Sequence, residues 1–142
     1  MLVQNFLERS AERLPNKTAL VCGADRYTYS DINVKANRLA NALIEKGVRR
    51  GDRVVIYMPN SMEVVVGLFA VLKAGGTFVV VNHTTKRDKL TYILNNCRAA
   101  AMLTNHRNIK LVREIFEEVP SLVFSVIAAS KKKTVGELEA PL

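Results

Sequence analysis

Several things are scarce in this 142-residue chain, and each scarcity closes off a class of function. There are only two cysteines, Cys22 and Cys97. They lie far apart and belong to neither a CxxC pair nor a Cys/His cluster with metal spacing, which predicts two buried thiols in a reducing compartment. No apolar run approaches the roughly 18 residues that span a bilayer. The start, MLVQNFLERSAERL, lacks the cationic lead into an apolar core that marks a secretory signal. A cytoplasmic chain with no membrane span is the expectation. Aromatic residues are 6% of the chain and do not interleave with its basic clusters, so there is no stacking platform for bases.

Acidic residues are the minority charge, 13 against 21 basic, for a net +8. The excess concentrates at 46–53, 86–89, 106–110 and 131–133, all at predicted helix ends and turns. A solvated basic surface without a nucleic-acid site is the expectation. Hydrophobic residues make up 49% and charged residues 24%, ordinary globular usage. A chain of this length buries roughly 68 to 70% of its unfolded surface, enough for a real core.

From residue 52 onward, short apolar runs alternate with amphipathic segments of helix length. That is the pattern of βαβ units, and it predicts an α/β fold with a mainly parallel, doubly wound sheet. The runs at 54–58, 78–81, 99–104 and 122–128 show no in/out alternation, which predicts strands buried on both faces. Four helices are expected around them. Ser30 caps one whose apolar face is Ile32, Ala36, Leu39, Ala40 and Leu43, with Gly47 as its left-handed stop. Asn60 and Glu63 form a capping box for a second, apolar nearly all round and so deeply buried, which ends at Gly75. Thr85 and Asp88 open a third, with Leu90, Ile93, Leu94 and Cys97 on one face. The fourth, 108–118, presents Ile109, Val112, Phe116 and Val119 and stops at Pro120. Upstream, 5–14 reads as a short amphipathic helix ended by Pro15, and 18–22 and 26–29 read as a β-hairpin around Gly23-Ala24-Asp25. The expected organisation is an N-terminal helix, hairpin and first long helix over 1–51, a βαβ sheet core over 52–130, and a polar linker or truncated tail over 131–142.

Motifs that carry chemistry are missing. The turn after the first sheet strand is MPNSME, with neither a GxGxxG nor an acidic residue placed for a ribose, and no GxxxxGK[ST] loop occurs. Gly75-Gly76 follow a helix and serve to stop it. His83 and His106 are flanked by polar loop residues and read as solvent-exposed. No GxSxG elbow surrounds a serine, and Ser30 and Ser61 are accounted for at helix starts. No catalytic, cofactor-binding or metal-binding residue is assigned to this chain.

Four short elements do carry a resemblance, in order across the stretch 27–104: Tyr27-Thr28-Tyr29-Ser30-Asp31-Ile32, then Gly47-Val48 with Gly51-Asp52-Arg53-Val54, then Pro59-Asn60-Ser61, then Leu72-Lys73-Ala74-Gly75-Gly76-Thr77-Phe78-Val79. They resemble the (L/Y)TYxEL, GVxxGDRV and PNS…LKAGxxxVP elements of the adenylate-forming superfamily of acyl- and aryl-CoA ligases, peptide-synthetase adenylation domains and luciferases. His83 stands where that family usually has proline and leaves the backbone freer. Asn82 is closer to the CoA ligases than to the peptide-synthetase domains. The resemblance implies a two-step reaction in which a carboxylate attacks the α-phosphate of Mg-ATP to give an acyl-adenylate, and a thiol then displaces AMP. It also implies that the phosphate loop, the nucleotide-binding motifs and the mobile-domain lysine lie outside this sequence. ATP, Mg and CoA or a carrier thiol thus belong to a complete enzyme, and the remainder of the ligase is the expected partner. Residues 1–142 are expected to be its N-terminal, structural subdomain. The alternative is a stand-alone, non-enzymatic binding or assembly module of the same fold.

Overall fold

A computed structural model describes residues 1–129, which form two compact units. The first combines residues 1–50 with 60–76 and holds α1 (Gln4–Arg13), β1 (Thr18–Cys22), β2 (Asp25–Thr28), α2 (Tyr29–Glu45) and α3 (Met62–Lys73). The second combines residues 51–59 with those from 77 onward and holds β3 (Arg53–Tyr57), β4 (Thr77–Val81), α4 (Arg87–Asn96), β5 (Ala101–Asn105), a 3₁₀ turn (His106–Asn108), α5 (Ile109–Phe116) and β6 (Phe124–Ala128). The tail 131–142 lies outside the described residues.

In the first unit, β1 and β2 pair antiparallel around Gly23, whose φ of 60° suits the absent side chain. The buried residues of α2 are Ile32, Ala36, Leu39, Ala40 and Leu43, the face its periodicity predicts. Its cap is not Ser30. Thr28 is the extended residue before the first turn; its hydroxyl accepts from the Asp31 amide at 3.0 Å, and the Asp31 carboxylate accepts from the Thr28 amide at 2.8 Å. Ser30 already lies inside the helix, so the reciprocal box falls two residues earlier. The expected box at Asn60 and Glu63 is absent too: Ser61 occupies the cap of α3 without a side-chain bond. On α3 the fully buried positions are Val64, Val66, Gly67, Ala70 and Val71, while Val65, Leu68, Phe69 and Leu72 are only half-buried. Gly75, at φ 81°, ends the helix as expected.

The second unit is built on a parallel sheet in the order β4-β3-β5-β6. Helices α4 and α5 cover one face, packing Leu90, Leu94, Val112 and Ile115 against Val55, Tyr57, Val81 and Met102. Strands β3, β5 and β6 are buried as the unbroken apolar runs predict, but β4 is not: Phe78 is 37% and Val80 54% exposed. Among the described residues β4 is an edge strand, paired with β3 alone, and its face opposite Val79 and Val81 lies open. Lys86, not Thr85, precedes α4, and no side chain caps that helix. On α5 the buried positions are Val112 and Ile115, followed by Val119, with Ile109 and Phe116 half-buried. Val112 and Val119 face inward as expected, while Ile115 is buried where Phe116 was expected. Both cysteines are free and half-buried, less enclosed than expected. Burial pushes the Cys97 thiol above its ordinary value.

Candidate functional site at the switch point of the sheet

In a parallel α/β sheet the strand order reverses at one place, and the crevice outside the carboxyl ends there is the usual ligand position. Here β4 follows β3 on one side and β5 on the other, so the crevice lies where Tyr57 ends β3 and Thr104-Asn105 end β5.

The polar groups at that point are engaged with one another. The fully buried Thr104 hydroxyl donates to the Tyr57 carbonyl and accepts from Asn108 Nδ2 at 2.9 Å. The Tyr57 hydroxyl reaches the other way and donates to the Thr85 carbonyl at 2.6 Å, in the loop after β4. Desolvation raises its pKa. Asn82 organises the same loop: its Oδ1 accepts from the Thr84 amide at 2.9 Å and from the Thr84 hydroxyl at 2.8 Å. Asn105 does the same after β5, accepting from the Arg107 amide at 3.2 Å. The Thr104–Tyr57 bond ties β5 to β3, and the others tie strand ends to neighbouring loops. The arrangement holds the strand ends as a rigid platform.

The two histidines sit on that rim. His83 lies in the loop after β4 and His106 opens the 3₁₀ turn after β5; both are exposed, as the sequence predicts. Neither imidazole makes a hydrogen bond or ion pair among the described residues, so no base–orienter pair forms around them. Among the described residues no three His, Cys, Asp or Glu side chains gather into a potential metal site. Arg53 works at the opposite end of the sheet, donating from Nε to the Cys97 carbonyl at 2.6 Å and so closing the last turn of α4.

Sequence reasoning missed the polar cluster of the first unit. There Lys73 and Glu8 form an ion pair, and Glu8 also accepts from Asn5 Nδ2 at 2.9 Å. They line an open groove of about 400 Å³ with Gln4, Asn37 and Asn41. Lys73 belongs to the Leu-Lys-Ala-Gly element and is the last residue of α3.

Comparison with known proteins gives a consistent result. The model of the family described as AMP-binding enzyme matches residues 7–141. Bacitracin synthase 1 of Bacillus licheniformis is 40% identical over 108 residues, which is 76% of this chain and 2% of that protein. A medium/long-chain-fatty-acid–CoA/3-oxocholest-4-en-26-oate–CoA ligase of Mycobacterium marinum is 30% identical over 120 residues, 84% of this chain and 22% of that protein. Among solved structures, an anthranilate CoA ligase in complex with anthranoyl-AMP superposes with a TM-score of 0.85 at 30% identity, covering 90% of this chain and 25% of that one. The chain thus spans a small part of the length of the relatives it matches. No described helix is long and apolar enough to cross a membrane.

Proposed function

The chain belongs to the AMP-binding enzyme family, and on that premise we propose that it is the N-terminal, structural portion of an AMP-forming ligase joining a fatty or aryl carboxylate to CoA. The observation that carries this reading is the likeness, over 90% of the chain, to an anthranilate CoA ligase of which it spans 25%. The state of the switch point supports it. The Thr104 hydroxyl is spent on the Tyr57 carbonyl and on Asn108, and the Tyr57 hydroxyl on the Thr85 carbonyl. We therefore assign the adenylating chemistry to residues outside this chain and derive no step through ATP, Mg or CoA here.

The open face of β4 is where we place the rest of such an enzyme. Thr77–Val81 is an uncharged, β-branched edge without proline, an arrangement that natural sheets normally cover or protect. Exchange of labelled pyrophosphate into ATP tests the reading. The 142-residue chain alone is expected to show none. A fusion supplying the remaining portion of the anthranilate CoA ligase is expected to restore it. Exchange by the chain alone overturns the assignment.

A further inference from the structure

We propose that the outward stripe of α1 is a peripheral docking surface for an anionic lipid bilayer. The inference concerns the first unit alone and does not rest on the ligase reading.

Two neighbouring contacts fix the rotation of α1. Leu7 is its buried residue, and Glu8 is turned toward Lys73. At about 100° per residue, Phe6, Arg9 and Arg13 then share one sector facing away from both contacts, and Leu2 lies in the turn just before the helix. The turn that carries Leu2 is held in place, because its amide donates to Asn5 Oδ1 at 2.9 Å and its carbonyl accepts from the Asn5 amide at 3.1 Å. Leu2 is 62% and Phe6 59% exposed, with Met1 and Val3 exposed beside them. Phe6 also lines an apolar groove of about 290 Å³ with Leu7, Leu20, Tyr29 and Phe69, so the apolar area continues into the body of the unit.

The charge on this stripe selects the occupant. Arg9, Arg13 and Lys17 are exposed, and their side chains make no hydrogen bond or ion pair among the described residues. Glu8 is neutralised by Lys73, and Glu12 lies about a quarter turn off the stripe. Large apolar side chains interleaved with unpaired arginines suit a phosphate-bearing interface: the rings and branches enter the acyl boundary while the guanidinium groups extend to the headgroups. A second copy of this chain, also at net +8, would bring arginine against arginine. A bilayer carrying negative headgroups meets both demands.

Co-sedimentation of the 142-residue chain with vesicles decides the matter. It is expected to bind vesicles of phosphatidylcholine and phosphatidylserine mixed two to one, to bind pure phosphatidylcholine far more weakly, and to be released by salt. One basic residue near an anionic surface contributes about a fivefold factor in partitioning, so the double variant Arg9→Gln/Arg13→Gln is expected to bind about thirtyfold more weakly. Phe6→Ser tests the apolar component separately, with circular dichroism confirming that each variant is folded. Absence of binding to the anionic vesicles overturns the proposal, as does binding unchanged by these substitutions. Self-association of the chain that Phe6→Ser abolishes, without vesicle binding, would assign the stripe to a protein contact instead.

Discussion

The Lys73 ammonium at the end of α3 lies 2.6 Å from a carboxylate oxygen of Glu8 on α1, and the lysine side chain is only 8% exposed while the glutamate is 37% exposed. The two partners are therefore unequal. Removing the carboxylate strands a buried cation, whereas removing the lysine leaves a carboxylate that water can reach. Glu8→Ala is expected to destabilise the chain by about 1–3 kcal/mol, and Lys73→Met by less, as measured by urea denaturation. The Lys73 hydrogen bond, followed by that from Asn5, holds the Glu8 carboxyl below its ordinary 4.5. A carboxyl lowered in the folded state contributes stability that is present above 4.5 and lost as pH falls through the lowered value. The gap between wild type and Glu8→Ala is thus expected to narrow on acidification below that point.

The start of α2 separates two cap-competent residues. Thr28 and Asp31 exchange hydrogen bonds, and Ser30 makes none that closes the helix. Thr28→Ala is expected to cost about 1 kcal/mol, and Ser30→Ala to be close to neutral by the same denaturation measurement.

Tyr57 links the end of β3 to the loop after β4 through its hydroxyl. Tyr57→Phe is expected to cost about 0.5–1.5 kcal/mol. Because burial raises the tyrosine pKa, its contribution is present below the ordinary value of 10.0 and declines as pH rises through the folded-state value. Wild type is expected to show an alkaline loss of stability that Tyr57→Phe lacks. Ultraviolet titration of tyrosinate in the two proteins reads the same group directly.

The exposed strand β4 yields a test that separates folding from assembly. Val80→Lys places a charge on the open face of an edge strand. Stability is expected to change by less than about 0.5 kcal/mol. Aggregation of the isolated chain is expected to fall, and pyrophosphate exchange by the ligase fusion is expected to fall with it. A fusion that keeps full activity would show that this face is not where the remainder packs.

Much of the fold was legible from local pattern. The five buried positions of α2 follow from one stripe of 3.6-residue period, and the strands begin and end within two residues of the apolar runs. The caps were less legible, because Thr28 and Ser30, or Asn60 and Ser61, satisfy the same chemistry and only the backbone path selects between them. At the candidate site, the exposure of His83 and His106 followed from their polar neighbours. The bonds joining Thr104, Asn108 and Tyr57 did not, since Tyr57 and Thr104 are 47 residues apart and meet only when β3 pairs with β5.

By itself the sequence determined the element order, the inward face of α2 and the family, since these depend on residues near one another along the chain. Tertiary structure alone decided which of two similar apolar runs, Arg53–Tyr57 and Thr77–Val81, became a central strand and which an exposed edge. It likewise decided that Lys73 should meet Glu8 across 65 residues and that α1 should turn Phe6 and its arginines outward. Propensity and periodicity act over a few residues, while burial and ion pairing depend on which distant segments the folded chain brings together.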